Sequence, residues 1–257
     1  MKKLLFILVC LIGFYGYANE DWGKTGHRAV AEIANDYLSE RAKAKIKLLL
    51  HGQTIALAST YGDEIKSDDE YDNFKPWHYA NAPFNQTYLD SEKNEEGDVV
   101  VGIQYCINVL KDPTSEEDDK TFYLKLLIHL VGDMHQPLHF GLEEDRGANR
   151  FYVDWFGEES NFHRVWDSEM INSHGMSYSE MAQNRTVLTP DEIRTFAEGN
   201  LLDWVEDTRD LTKKVYKSAE QRENLRYRYM YDWYDDLNLQ LHKAGIRLAK
   251  ILNQIYS

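Results

Sequence analysis

The stretch His129-Leu-Val-Gly-Asp133-Met-His135-Gln-Pro137-Leu-His139 constrains this chain more than any other. Phe122 to Val131 has the apolar spacing of a helix, with Phe122, Leu126 and Leu130 on one stripe and Tyr123, Leu127 and Val131 beside it. On that helix His129 and Asp133 stack one turn apart on one face. Pro137 prevents a regular continuation, so the chain must turn, and the turn can bring His139 back beside the pair. Two imidazoles flanking a carboxylate on an apolar helix form a common zinc site. A buried structural His–Asp pair is the competing reading.

A second copy of the spacing shifts the balance. His163-Arg-Val-Trp-Asp167 repeats it in a segment that also reads as helix, in a chain with only nine histidines. Ahead of both lie His27 in Trp22-Gly-Lys-Thr-Gly-His27, Asp63 in Tyr61-Gly-Asp63, and His78 in Trp77-His78-Tyr79. Together these positions offer five imidazoles and three carboxylates. That is too many ligands for one four-coordinate zinc and suits a cluster of about two or three.

At 257 residues the chain is predicted to form one large domain, spanning residues 22–257. Residues 1–18 read as a secretory signal: Lys2 and Lys3, an apolar run from Leu4 to Phe14, then Gly16-Tyr17-Ala18 for cleavage, with further trimming to Asp21 as an alternative. The run is short for a membrane span. The expected mature protein is soluble, secreted or periplasmic, monomeric, and without stable membrane association. Removal of the signal leaves Cys106 as the sole cysteine, so no internal disulfide is expected. The formal charge of −14 argues against a protein that coats duplex phosphates. It does not argue against a phosphodiesterase, because clustered zinc concentrates positive charge where an anionic substrate meets it. The acidic runs Ser67–Tyr71, Asp90–Asp98 and Ser115–Asp119 read as solvated loops.

Taken in order, the chain predicts helices over Gly26–Leu38, Arg41–Leu50, Val99–Leu110 and Asp119–Gln136, with a short helix in 54–65 presenting Asp63. Residues 66–98 are polar and irregular, a functional wall rather than a linker. Arg150–Phe156 followed by Gly157 predicts a small hairpin, and helix resumes near Phe162. Thr189-Pro-Asp-Glu192 is a capping box opening a helix that runs past Trp204. The last helix is predicted over Glu220–Ile255, with Tyr227, Tyr231 and Tyr234 as core. The expected fold is mostly α: a single all-helical domain with long loops and one small β-hairpin.

With these residues in view, the sequence resembles the zinc-dependent single-strand nucleases of the S-one/P-one family, within the phospholipase C/nuclease superfamily. The likeness spans nearly the whole mature chain, through Trp22-Gly-x-x-Gly-His27, Asp63-x-Ile, Trp77-His78-Tyr79, the central motif, Gly-x-Asn149 and Asn161-x-His163-x-x-Trp-Asp167. The resemblance implies one zinc on Asp63, His78 and His129, another on His139, His163 and Asp167, and a third on His27 with the main chain of a mature terminal Trp22. Asp133 would bridge the first and third ions. It implies endonuclease cleavage of single-stranded DNA and RNA to 5′-phosphates, with 3′-nucleotidase activity. Lys66 stands where fungal members place an arginine that steadies the transition state, and Asn81 where they place an aspartate near the metals. Lysine is a point charge and cannot clamp phosphate bidentately.

The chemistry is coherent without the analogy. Zinc ions sharing Asp133 would lower the pKa of a bridging water from about 15.7 towards 7, and the resulting hydroxide would attack phosphorus. Asn149 is a candidate to hold a substrate phosphate or sugar oxygen, and Tyr79 to stack on a base or to pack in the core. His135, on another side of the helix, is expected outside the ligand set. A zinc phospholipase is the runner-up, but its entrance should be apolar and 66–98 is acidic. A non-catalytic zinc-binding envelope protein would need a closed coordination shell.

Overall fold

The computed structural model describes residues 23–257; the expected signal segment and Trp22 lie outside the described residues. Helix α1 (Lys24–Tyr37) turns Ala29, Val30, Ile33 and Ala34 inward. Helix α2 (Glu40–Leu49) starts where the Ser39 side chain accepts from the Ala42 amide. Two short helices follow, α3 (Ile55–Ala58) and α4 (Tyr61–Ile65), then a 3₁₀ segment over Asp69–His78. Asp98 caps α5 (Val99–Lys111), accepting from the Val100 and Val101 amides, and α6 (Glu117–Asp133) packs beside it. From Leu126 to Asp133 every residue of α6 is buried, because α1, α4, α5 and α12 (Tyr227–Tyr256) surround it.

Beyond the 3₁₀ turn Pro137–Phe140 come β1 (Tyr152–Trp155) and β2 (Glu158–Asn161), paired antiparallel with Trp155 opposite Glu158. Helix α7 (Phe162–Arg164) passes directly into a π-helical turn, Val165–Glu169. Then come α8 (Met170–His174), α9 (Tyr178–Gln183), α10 (Pro190–Ala197) and α11 (Leu201–Val215). The mostly helical single domain is as expected, with its hairpin. The hairpin gains a third strand, β3 (Asn224–Leu225), which pairs parallel with β1.

Three expectations need correction. The final helix begins at Tyr227, not Glu220, because the segment before it is used as β3. The Thr189 capping box is present, but its helix stops at Ala197. Gly199, at φ +79°, reverses the chain, and Asn200 caps a new helix with Asp203. Tyr227 and Tyr231 are not core: each is 79% exposed, and the buried stripe of α12 begins with Tyr229 and continues through Leu237 and Leu241.

Among the described residues no helix is long and apolar enough to cross a membrane. Cys106 is buried and unpaired, and burial pushes its thiol well up.

The α1–α12 contact depends on Gly245, where a Cβ would lie 2.4 Å from Ile33 Cγ2. Gly245→Ala should gain about 1 kcal/mol of helix propensity and lose about 1–3 kcal/mol to overpacking. Net destabilisation in urea unfolding is expected. His242 in the same helix accepts from the Tyr37 hydroxyl at 2.7 Å and donates Nδ1–H to the Thr186 carbonyl at 3.0 Å. Burial and then Arg185 push His242 down to about 4 from 6.5, with Asp36 pulling the other way. Its stabilising contribution is therefore complete above pH 6.5 and lost as pH falls towards 4. The stability difference between the wild type and His242→Gln should narrow on acidification by up to about 1.4 kcal/mol per pH unit.

Candidate metal centre

The last turn of α6 presents His129 and Asp133 side by side, His129 Nε2 lying 3.1 Å from Asp133 Oδ2. Four other segments converge on this pair. Helix α4 brings Asp63 Oδ1 to 3.5 Å from His129 Nε2. The end of the 3₁₀ segment brings His78, whose Nδ1 is 2.9 Å from Asp133 Oδ2 and 3.1 Å from His129 Nε2. Helix α1 stacks His27 on His129, centroids 3.9 Å apart, with His27 Nε2 3.4 Å from Asp133 Oδ1. The turn after Pro137 sets His139 Nδ1 3.5 Å from the same oxygen. His139 Nε2 in turn faces Asp167 Oδ1 at 3.7 Å, and His163 Nε2 faces Asp167 Oδ2 at 3.1 Å. All eight expected side chains within the described residues therefore meet.

They form three groups whose donor atoms lie within 4.8 Å of one another: Asp63, His78 and His129; His139, His163 and Asp167; and His27, His129 and Asp133. The hydrogen bonds behind them fit metal ligation. His129, His139 and His163 each direct Nδ1 at a main-chain carbonyl, of Ser59, His78 and Gly147 respectively, at 2.8, 2.7 and 2.6 Å. A carbonyl only accepts, so each Nδ1 carries the proton, and the neutral ring keeps a lone pair on Nε2. His139 Nε2 and Asp167 Oδ2 are buried without a hydrogen-bond partner. Buried donor atoms left without hydrogen-bond partners this close together could hold a cation between them.

The electrostatics agree. Asp63 is held well above the usual carboxylate range by burial and then by Asp133 and Asp167. Burial also raises Asp133, but His129 and His139 outweigh it and hold that group well below the usual range. Burial and then His129 push His27 down to about 4, leaving a neutral ring. A divalent ion would relieve the carboxylate repulsion and accept the neutral imidazoles.

Close approach leaves no room for side chains at the residues preceding two of the aspartates. A Cβ at Gly62 would lie 2.4 Å from His129 Cδ2, and one at Gly132 would lie 2.7 Å from His27 Nδ1. The Gly-Asp dipeptides 62–63 and 132–133 are thus a sequence signal for this site. The reading also missed Gln136 and the carbonyls of Ser59 and Gly147.

The remaining candidates are more dispersed. Lys66 reaches Asp63 Oδ1 at 3.0 Å, and burial pushes its ammonium down to about 8 against the pull of Asp133 and Asp167. Residues 80–82 run beside 139–141, Ala80 donating to the His139 carbonyl and Ala82 to that of Gly141. That pairing sets Asn81, whose buried Oδ1 has no hydrogen-bond partner, next to Gly147. Tyr79 is 43% exposed, so the core alternative for it is not met. Asn149 is exposed, and its side-chain amide donates to the Arg146 carbonyl at 3.0 Å.

His135 points away from the cluster. Its Nδ1–H donates to the Val131 carbonyl at 2.8 Å and its Nε2 lies 3.1 Å from Arg247 Nη1. Arg247 in turn binds Asp207 at 2.8 Å, so this network ties the end of α6 to α11 and α12. His135→Leu should leave metal content unchanged and cost about 1–3 kcal/mol in urea unfolding of the metal-free protein, through the unpaired Arg247 donor.

A family model described as S1/P1 Nuclease matches residues 22–257. Endonuclease 4 of Arabidopsis thaliana is 29% identical, covering 92% of this chain and 89% of that protein. Nuclease S1 of Aspergillus oryzae is 29% identical over 68% of this chain and 63% of its own length. Nuclease P1 of Penicillium citrinum is 25% identical over 91% and 98% respectively. These matches follow the same chain that folds the His/Asp cluster together, and the chain belongs to the S1/P1 nuclease family, as an enzyme that hydrolyses phosphodiester bonds of nucleic acid.

Proposed function

We propose that this protein is an exported, monomeric, zinc-dependent endonuclease that cleaves single-stranded DNA and RNA to 5′-phosphate products and removes phosphate from 3′-nucleotides. One observation carries the reading: three His/Asp donor groups packed around the buried Asp133. A first zinc would be held by Asp63, His78 and His129, and a second by His139, His163 and Asp167. A third would be held by His27 and the main chain of Trp22, with Asp133 bridging the first and third. Gly23, the neighbour of Trp22, donates to the Asp167 carbonyl at 2.9 Å, which favours a terminus close to the cluster.

When bound, zinc supplies Lewis acidity and a water that ionises near neutral pH. The residues of the chain then divide the remaining tasks. Asp133, whose two oxygens face different imidazoles, would help to hold and orient bound zinc. The Lys66 ammonium, beside Asp63, is the one charged side chain assigned to steady negative charge on the phosphoryl oxygens. Asn81, beside the Gly147 whose carbonyl accepts from His163, and the exposed Asn149 would offer amides to a phosphate or sugar oxygen; Asn149 would exchange its bond to Arg146 for one to substrate. Tyr79 follows His78 directly and, exposed as it is, would offer its ring to the face of an unpaired base. Unpaired bases expose that face, whereas a duplex does not.

Zinc analysis and intact mass of the exported protein, with hydrolysis of single-stranded and duplex DNA, RNA and a 3′-nucleotide, test the proposal. Three zinc per chain, a terminus at Trp22 and chelator-sensitive cleavage of single strands are expected. Lys66→Ala should lower kcat by about 10²-fold with the metals retained. Protein that starts at Asn19, holds two zinc and cleaves nothing would overturn the reading.

A further inference from the structure

Gln136 lies between the two halves of the central motif and is fully buried. Its carboxamide is used at both ends. Nε2 donates to Asp167 Oδ1, and Oε1 accepts from the Leu138 amide, capping the 3₁₀ turn Pro137–Phe140 that carries His139. Its main chain is used as well: the Gln136 amide donates to the Asp133 carbonyl at 3.0 Å, and the His139 amide donates to the Gln136 carbonyl at 3.1 Å. The residue therefore touches Asp133, the turn that bears His139, and Asp167, which is distant in sequence.

The consequence is an asymmetric Asp167. With Oδ1 occupied by an amide donor, Oδ2 is the oxygen left without a hydrogen-bond partner, and it is the one that faces His163 Nε2 at 3.1 Å. Asp167 itself sits in a π-helical turn, and the main-chain hydrogen bonds of a helix do not fix a side-chain rotamer. An outside donor is needed to hold its rotamer, and Gln136 supplies one.

We propose that Gln136 is the positioning residue of the His139–His163–Asp167 group: a single buried carboxamide sets which oxygen Asp167 presents and holds the turn that presents His139. The proposal rests on the metal reading of that group. Removal of the amide should loosen one metal of the cluster and leave the ion at Asp63, His78 and His129 in place, because the side-chain hydrogen bonds of Gln136 go to Asp167 and Leu138.

Two variants separate the two contacts. Gln136→Glu keeps the shape and the acceptor for Leu138, but when ionised it opposes Asp167 instead of donating to it. Gln136→Met removes both contacts. Zinc titration of the full chain against a competing chelator should show one site per chain weakened about 10–100-fold in both variants, the others remaining as in the wild type. Asp167→Asn should weaken the same site, and Gln136→Glu combined with it should add little further loss, since both act through one carboxylate. Urea unfolding of the metal-free proteins gives the independent readout. A purely structural role would lower their stability and leave zinc affinity unchanged. Wild-type zinc affinity at every site in Gln136→Glu, or losses fully additive with Asp167→Asn, would overturn the proposal. A wild-type chain that takes up no zinc would instead overturn the metal reading beneath it.

Discussion

A carboxylate with no exposure to solvent is the most demanding group in this molecule, and Asp133 is such a group. An isolated charge there would cost far more than a domain's net stability. The fold surrounds it with imidazoles: His78 and His129 at one oxygen, His27 and His139 at the other. To bring four rings to one point, α1, the 3₁₀ segment ending at His78, and the turn after Pro137 must all meet the end of α6. The complete burial of that end, and the glycines at 62 and 132 that admit the rings, follow from this convergence.

Much of the candidate site was legible because its donor residues obey local rules. His129 with Asp133, and His163 with Asp167, are four apart, and each pair does lie side by side at 3.1 Å. Pro137 forces the turn that returns His139. What local rules miss is what depends on partners distant in sequence. Strand β3 is two residues long and exists only because β1 offers it a ladder. The tyrosines 227, 231 and 234 share a helical spacing, yet of the three Tyr234 alone packs against the core; spacing does not say which stripe faces inward, and Tyr229 belongs to the one that does. The stop before α11 was readable in Glu198-Gly199-Asn200, where glycine permits the positive φ and asparagine the cap. The helical pattern running on to Trp204 masked it. The π-helical turn at Val165–Glu169 leaves no compositional trace.

The support behind the candidate metal-binding side chains is largely main chain. Ser59, His78 and Gly147 orient three imidazoles through carbonyl oxygens, and a carbonyl is present whatever the side chain. Sequence comparison at such positions reports the fold that places the backbone, not the group that does the work. Gln136 is the exception, a buried side chain with a defined partner at each end.

One of these carbonyls links the two main donor groups. The His78 ring belongs with Asp63 and His129, while the His78 carbonyl accepts from His139 Nδ1 in the other group. The same stretch continues as a short ladder, Ala80 to His139 and Ala82 to Gly141. A shift of His78 towards an ion therefore moves the acceptor that orients His139, and a shift of residues 139–141 moves the base of His78. Asp133 couples the same groups through its side chain, contacting His78 by one oxygen and His139 by the other. A carboxylate and a backbone ladder thus both span the gap between the two groups. The two groups share main chain and a carboxylate while each keeps its own donor set.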